Sequence, residues 1–73
     1  MTDVVIEAVR RVLGQPDITL DDNLLELGVD SLIGTRIVVA IGEKLDIEVS
    51  LETLLENPVI SDFSDAVIEI IED

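Results

Sequence analysis

The run Asp30-Ser31-Leu32-Ile33-Gly34-Thr35-Arg36 holds the side chains best placed for chemistry, a primary hydroxyl beside a carboxylate, and after it Arg36 is the only charge before Glu43. At the head of a helix the Asp30 carboxylate would accept from the free amides of the first turn, and its charge would suit the positive end of the helix. Leu32, Thr35, Arg36 and Val39 then follow i, i+3, i+4, i+7 along one helical face. Two accounts of that face stay open. Either the helix lies deep in a bundle and the face is covered, or the face is a docking strip with Leu32 and Val39 as apolar anchors and Arg36 as the polar contact. Gly34 and Gly42 interrupt the same stretch, although a glycine inside a helix costs about 0.5–1 kcal/mol relative to alanine. Gly34 stands three residues after Ser31, so it leaves room beside the serine for a bulky attachment or a partner, or it allows two helices to pack closely; Gly42 reads as packing or slight fraying.

Other chemistries lack their residues. With no His and no Cys the chain has no imidazole proton shuttle, no thiol nucleophile, no disulfide and none of the usual zinc ligands, and no metal site is expected. Asp17, Thr19, Asp21 and Asp22 suggest a calcium loop, but Asp22 and Gly28 stand where an EF-hand needs its glycine and its glutamate. The single lysine, Lys44, follows Glu43 and belongs to no phosphate-binding glycine loop. The 17 Asp and Glu residues are scattered as a solvated surface is, not paired for acid/base work, so the chain is not expected to be an enzyme. Against them stand 4 Lys and Arg, for a net charge of −13. That balance repels nucleic acid and favours basic protein partners.

A chain of 73 residues makes one small domain, residues 1–73, which buries about 60% of the surface its unfolded form exposes. Val, Ile and Leu are abundant enough for a folded, almost wholly aliphatic core, with one Phe and no Trp or Tyr. Residues 3–13 read as a first helix, with Val5, Ala8, Val9 and Val12 inward and Gly14 and Pro16 as stop signals. Residues 14–30 are too rich in aliphatics for a floppy linker and read as a long loop laid over the core, with Asn23 and Glu26 at capping-box spacing and Gly28 closing a short turn. A second helix runs from Ser31 to Leu45, with Ile37, Val38, Ile41 and Leu45 as its core face. Ser50 caps a short third helix over Leu51, Leu54 and Leu55 that ends before Asn57-Pro58. Ser61 is expected to cap the last helix, where Phe63, Ala66, Val67 and Ile70 form the stripe. No apolar run reaches the roughly 20 residues of a membrane span, and Met1-Thr2-Asp3 lacks the basic flank of a secretory signal, so no membrane partner and a cytoplasmic location are expected.

At the serine, Leu27-Gly28-Val29-Asp30-Ser31-Leu32 resembles the phosphopantetheine attachment motif of acyl and peptidyl carrier proteins. The resemblance extends over nearly the whole chain, from the first amphipathic helix to the helix after Asn57-Pro58. It implies an all-α four-helix bundle of the acyl-carrier type, with a long first loop and a short third helix, whose Ser31 is the covalent attachment residue. It also implies a phosphopantetheinyl transferase that brings coenzyme A and magnesium; the Ser31 hydroxyl attacks the phosphate nearest the pantetheine and a phosphodiester results. Ser31 is then a substrate, and the thiol ending the arm holds acyl or aminoacyl groups as thioesters. A loading ligase or acyltransferase and downstream condensing or tailoring enzymes are the further partners implied. Docking would engage Asp30, Leu32, Thr35, Arg36 and Val39.

Free amides at the helix head favour a phosphate, while Asp30 next door repels one. Arg36 lies about 140° around the helix from Ser31 and is expected to meet partner proteins more than the phosphate. Asp30 has two readings: a plain N-cap, or additionally the acid shown to the transferase and its magnesium. Arg36 is similar to peptidyl carriers, whereas the net charge of −13 and the start at Met1 suggest a discrete, monomeric carrier. The expectation is a discrete carrier in a specialised pathway of polyketide or nonribosomal-peptide type, such as antibiotic biosynthesis. The alternatives are a primary fatty-acid carrier and a small acidic adaptor in which Ser31 merely caps a helix.

Overall fold

Residues 2–72 are described by a computed structural model, and they form four helices: α1 (Thr2–Leu13), α2 (Ser31–Leu45), α3 (Leu51–Glu56) and α4 (Ile60–Glu72). Met1 and Asp73 lie outside the described residues, and with Met1 the expectation drawn from the chain start. α1 places Asp3 in its first turn and Arg10 and Arg11 in its last, each sign at the helix end that favours it. Gly14, at φ +66, then turns the chain in the left-handed region, and the Gln15 amide donates to the Arg10 carbonyl at 3.1 Å. Val5 and Val9 point inward as the periodicity predicts, and so does Ile6, while Ala8 is half-buried. The inward face of α1 is thus shifted slightly from the expected one.

The long connection is a structured layer. Ile18, Leu24 and Val29 are buried in the same core as the helices. Arg10 holds it down from α1, donating from Nε and Nη2 to the Ile18 carbonyl at 2.9 and 2.7 Å. Asn23 Oδ1 accepts from the amides of Leu25 and Glu26, capping one helical turn. Gly28, at φ +89, closes that turn: its amide donates to Leu25 O and the Val29 amide to Leu24 O, the paired bonds of a Schellman ending.

α4 corrects one expectation. Ser61 does not cap it; the helix begins at Ile60, and the amides of Ile60 and Ser61 donate to the loop carbonyls of Asp22 and Leu20, each at 3.0 Å. Carbonyls from the loop replace the side-chain cap, and the Leu24 amide returns a bond of 2.7 Å to Pro58 O. Below this seam lie the fully buried Phe63, Ile60, Leu54, Ile37, Ile41 and Val67. α1 packs on α2 and α4, and α3 closes the bundle against α2 and α4. The buried Ser64 hydroxyl donates to Thr2 Oγ1 at 3.2 Å, tying α4 to the start of α1.

Candidate functional site

The head of α2 is built by three residues. Asp30 accepts from the Ile33 amide at 2.9 Å through its carboxylate, and its carbonyl accepts from the Gly34 amide at 2.7 Å. Asp30 is therefore the N-cap that the spacing predicts. The next residue, Ser31, is exposed, and Thr35 Oγ1 donates to its carbonyl at 2.7 Å rather than to its hydroxyl. Its hydroxyl has no partner among the described residues. Behind it the buried Ile37, Val38 and Ile41 lock α2 into the core, so the serine stands on a fixed base.

Exposure excludes the covered account of the second apolar face. Leu32 is 63% exposed and Val39 50%, and Thr35 and Arg36 are exposed with them. The face is open. Asp30, Leu32 and Thr35 gather around Ser31, whereas Thr35, Arg36 and Val39 also line a groove between α1 and α2 completed by Arg11, Ala40, Glu43 and Lys44. The site residues are thus one continuous strip along α2, with its lower half facing α1.

Gly34 resolves toward packing. It is buried, and a Cβ there would stand 2.7 Å from Leu51 Cδ1, so the glycine lets α3 close on α2 and leaves no pocket beside the serine. Gly42 is tight against backbone: a Cβ there would meet the Ile47 carbonyl oxygen at 2.7 Å, where the chain folds back over the end of α2. Asp46, at φ +55, makes that reversal. Gly42 is a packing glycine and not a site of fraying.

Two exposed leucines escape the periodicity argument. Leu25 is 49% exposed on the turn before Ser31 and Leu55 is 42% exposed on α3. Each belongs to a Leu-Leu pair whose first member is fully buried, Leu24 and Leu54. In a short turn adjacent positions point in different directions, so the outward member follows once the Asn23 and Ser50 caps set the register.

The site fits a covalently carried phosphate ester. It offers an exposed hydroxyl at a helix N-terminus, where first-turn amides without intrahelical acceptors favour a phosphate. Residues 3–67 match the family model described as "Phosphopantetheine attachment site". The chain is 33% identical over 64 residues to the bassianolide nonribosomal cyclodepsipeptide synthetase of Beauveria bassiana, covering 88% of this chain and 2% of that protein. It is 34% identical over 61 residues to cyclosporin synthetase simA of Tolypocladium inflatum, covering 84% of this chain and a share of the synthetase that rounds to 0%. The chain therefore spans only a minute part of these relatives. Among solved structures it is similar to BlmI, a type-II acyl-carrier-protein from Streptomyces verticillus involved in bleomycin biosynthesis, with a TM-score of 0.89 and 21% identity over 96% of this chain and 84% of that one. That likeness places the four helices in the acyl-carrier fold.

Proposed function

Because the chain belongs to the phosphopantetheine attachment site family, we propose that Ser31 is its attachment residue and that residues 1–73 act as one carrier unit for acyl or aminoacyl intermediates. The observation that carries this reading is the exposed Ser31 hydroxyl, unengaged at the capped head of α2. When bound, the group supplies a thiol that holds cargo as a thioester, which a chain without cysteine cannot do. The protein's own residues do the positioning. Asp30 fixes the first turn, the buried Ile37 and Ile41 seat α2 in the core, and the free first-turn amides would favour the phosphate while the Asp30 carboxylate would repel it. Ser31 is a substrate of the transferase, and the chain itself catalyses nothing.

The relatives' printed names place them among the synthetases, one of them nonribosomal by name, and Arg36 in place of an acid-rich α2 fits a carrier of that type. The reading is a carrier of a specialised nonribosomal-peptide or polyketide-type pathway. It is loaded by a transferase and by a ligase or acyltransferase, serves condensing or tailoring enzymes, and works in the cytoplasm beside coenzyme A. No helix among the described residues is long and apolar enough to cross a membrane. Asp30, Leu32, Thr35, Arg36 and Val39 would form the docking strip beside the arm, with Leu25 and Leu55 adding apolar surface.

Incubation with coenzyme A, magnesium and a broad-specificity transferase tests the reading by intact mass and peptide mapping. The chain gains the mass of one phosphopantetheine at Ser31, and Ser31→Ala gains none. Wild-type chain that stays unmodified with several transferases would leave the acidic adaptor as the better reading.

A further inference from the structure

The protein carries 4 cations against 17 acids, yet Arg11, Arg36 and Lys44 all line one open groove of about 540 Å³ between α1 and α2. The fourth, Arg10, is occupied with the Ile18 carbonyl. Among the described residues Glu43 is the one carboxylate in the groove lining, and Val39 and Ala40 are its apolar members. The helix dipole accounts for two of the cations, since Arg11 and Lys44 sit in the last turns of α1 and α2. It does not account for Arg36, which lies mid-helix beside the half-exposed Val39.

We propose that this groove receives a carboxylate-bearing segment of a partner protein, with an apolar side chain seated on Val39 between Arg11, Arg36 and Lys44. The proposal rests on the docking strip inferred above and adds the chemistry of what occupies its lower half. Charge complementarity selects the occupant, because a basic segment would bring its cations against three like charges offset by a single carboxylate among the described lining residues, whereas carboxylates would meet three opposite ones. The acidic remainder of the surface draws basic surfaces, so the two signs together orient a partner: basic residues over the acidic faces and carboxylates into the groove. A protein of uniform sign could steer a partner but would not fix its rotation.

The test uses the unmodified 73-residue chain, labelled with nitrogen-15, and two capped helical peptides. One has leucines along one face flanked by glutamates, and the other is identical but for lysine in place of each glutamate. The glutamate peptide is expected to shift the amides of Arg11, Val39, Ala40 and Lys44, and Arg36→Glu and Arg11→Glu each to weaken it about fivefold, with circular dichroism unchanged. The same substitutions should strengthen any binding of the lysine peptide, since they reverse the local charge.

Equal or tighter binding of the lysine peptide at these amides would overturn the proposal. So would no binding of the glutamate peptide up to millimolar concentration, or an affinity for it untouched by charge reversal. Self-association of the chain through these amides, seen by sedimentation, would assign the groove to a second copy instead. Attachment of the arm is read separately on wild-type chain by mass, so failure of the Ser31 reading and failure of the groove are told apart.

Discussion

Asp30 is an N-cap, and its second reading, as the acid met by a transferase and its magnesium, separates from the first experimentally. As an N-cap it accepts the Ile33 amide, a bond whose loss to alanine costs about 1 kcal/mol. Asparagine caps about as well but has no charge to present to a transferase and its magnesium. Asp30→Asn is therefore expected to melt within a few degrees of wild type, giving up only the modest dipole contribution of about 0.3–1 kcal/mol. Its loading by the transferase, followed as mass against time, should slow several-fold. Asp30→Ala should lose both stability and loading rate. Asp30→Asn loading at the wild-type rate would reduce the residue to a cap alone. Ser31 needs no such separation, because its hydroxyl supports nothing in the fold and Ser31→Ala removes only the acceptor.

Helix α2 has one face in the core and one face exposed, and two substitutions on it should behave in opposite ways. Ile41 is fully buried, so Ile41→Asp leaves an unpaired charge in an aliphatic core and is expected to unfold the bundle, as circular dichroism would show. Val39 is half-exposed, so Val39→Asp should keep the helical signal while weakening transfer by partner enzymes. The two glycines also part company. At Gly34 the added methyl meets the end of the mobile Leu51 side chain, which can turn aside, and alanine's better helix propensity offsets much of the strain. At Gly42 it meets the carbonyl of Ile47, and backbone must move. Gly42→Ala is expected to destabilise by about 1–3 kcal/mol, measured by denaturant unfolding, and Gly34→Ala by less than about 1 kcal/mol. Much of this was legible in the sequence because its causes are local. The Asp30 and Ser50 caps, the apolar periods of α1 and α2 and the aliphatic content of the loop all lie within a few residues of what they determine. The start of α4 was not legible, because the carbonyls that satisfy Ile60 and Ser61 belong to Asp22 and Leu20, remote in the chain. The role of Gly34 stayed undecided for the same reason, its partner Leu51 lying on another helix.

For the molecule as a whole, charge is the dominant stress. A net charge of −13 on a body of 29 × 22 × 19 Å makes the folded state repel itself. The Debye length falls from about 30 Å at 0.01 M salt, longer than the molecule, to about 10 Å at 0.1 M. Melting followed across that range should rise by about 5 °C, equivalent to roughly 1 kcal/mol for a domain of this size. A flat series would mean that the unfolded chain is relieved as much as the native one. The hydrogen bonds that join the loop to α4 have a consequence for the arm. With Leu24 tied to Pro58 and the first amides of α4 tied to Asp22 and Leu20, the stretch leading to Ser31 is anchored to α4 by backbone hydrogen bonds at residues 20–24. If Ser31 carries the arm as proposed, the reach of the cargo is set by the tether measured from that anchored head of α2, and each enzyme in turn has to bring its catalytic centre inside that radius.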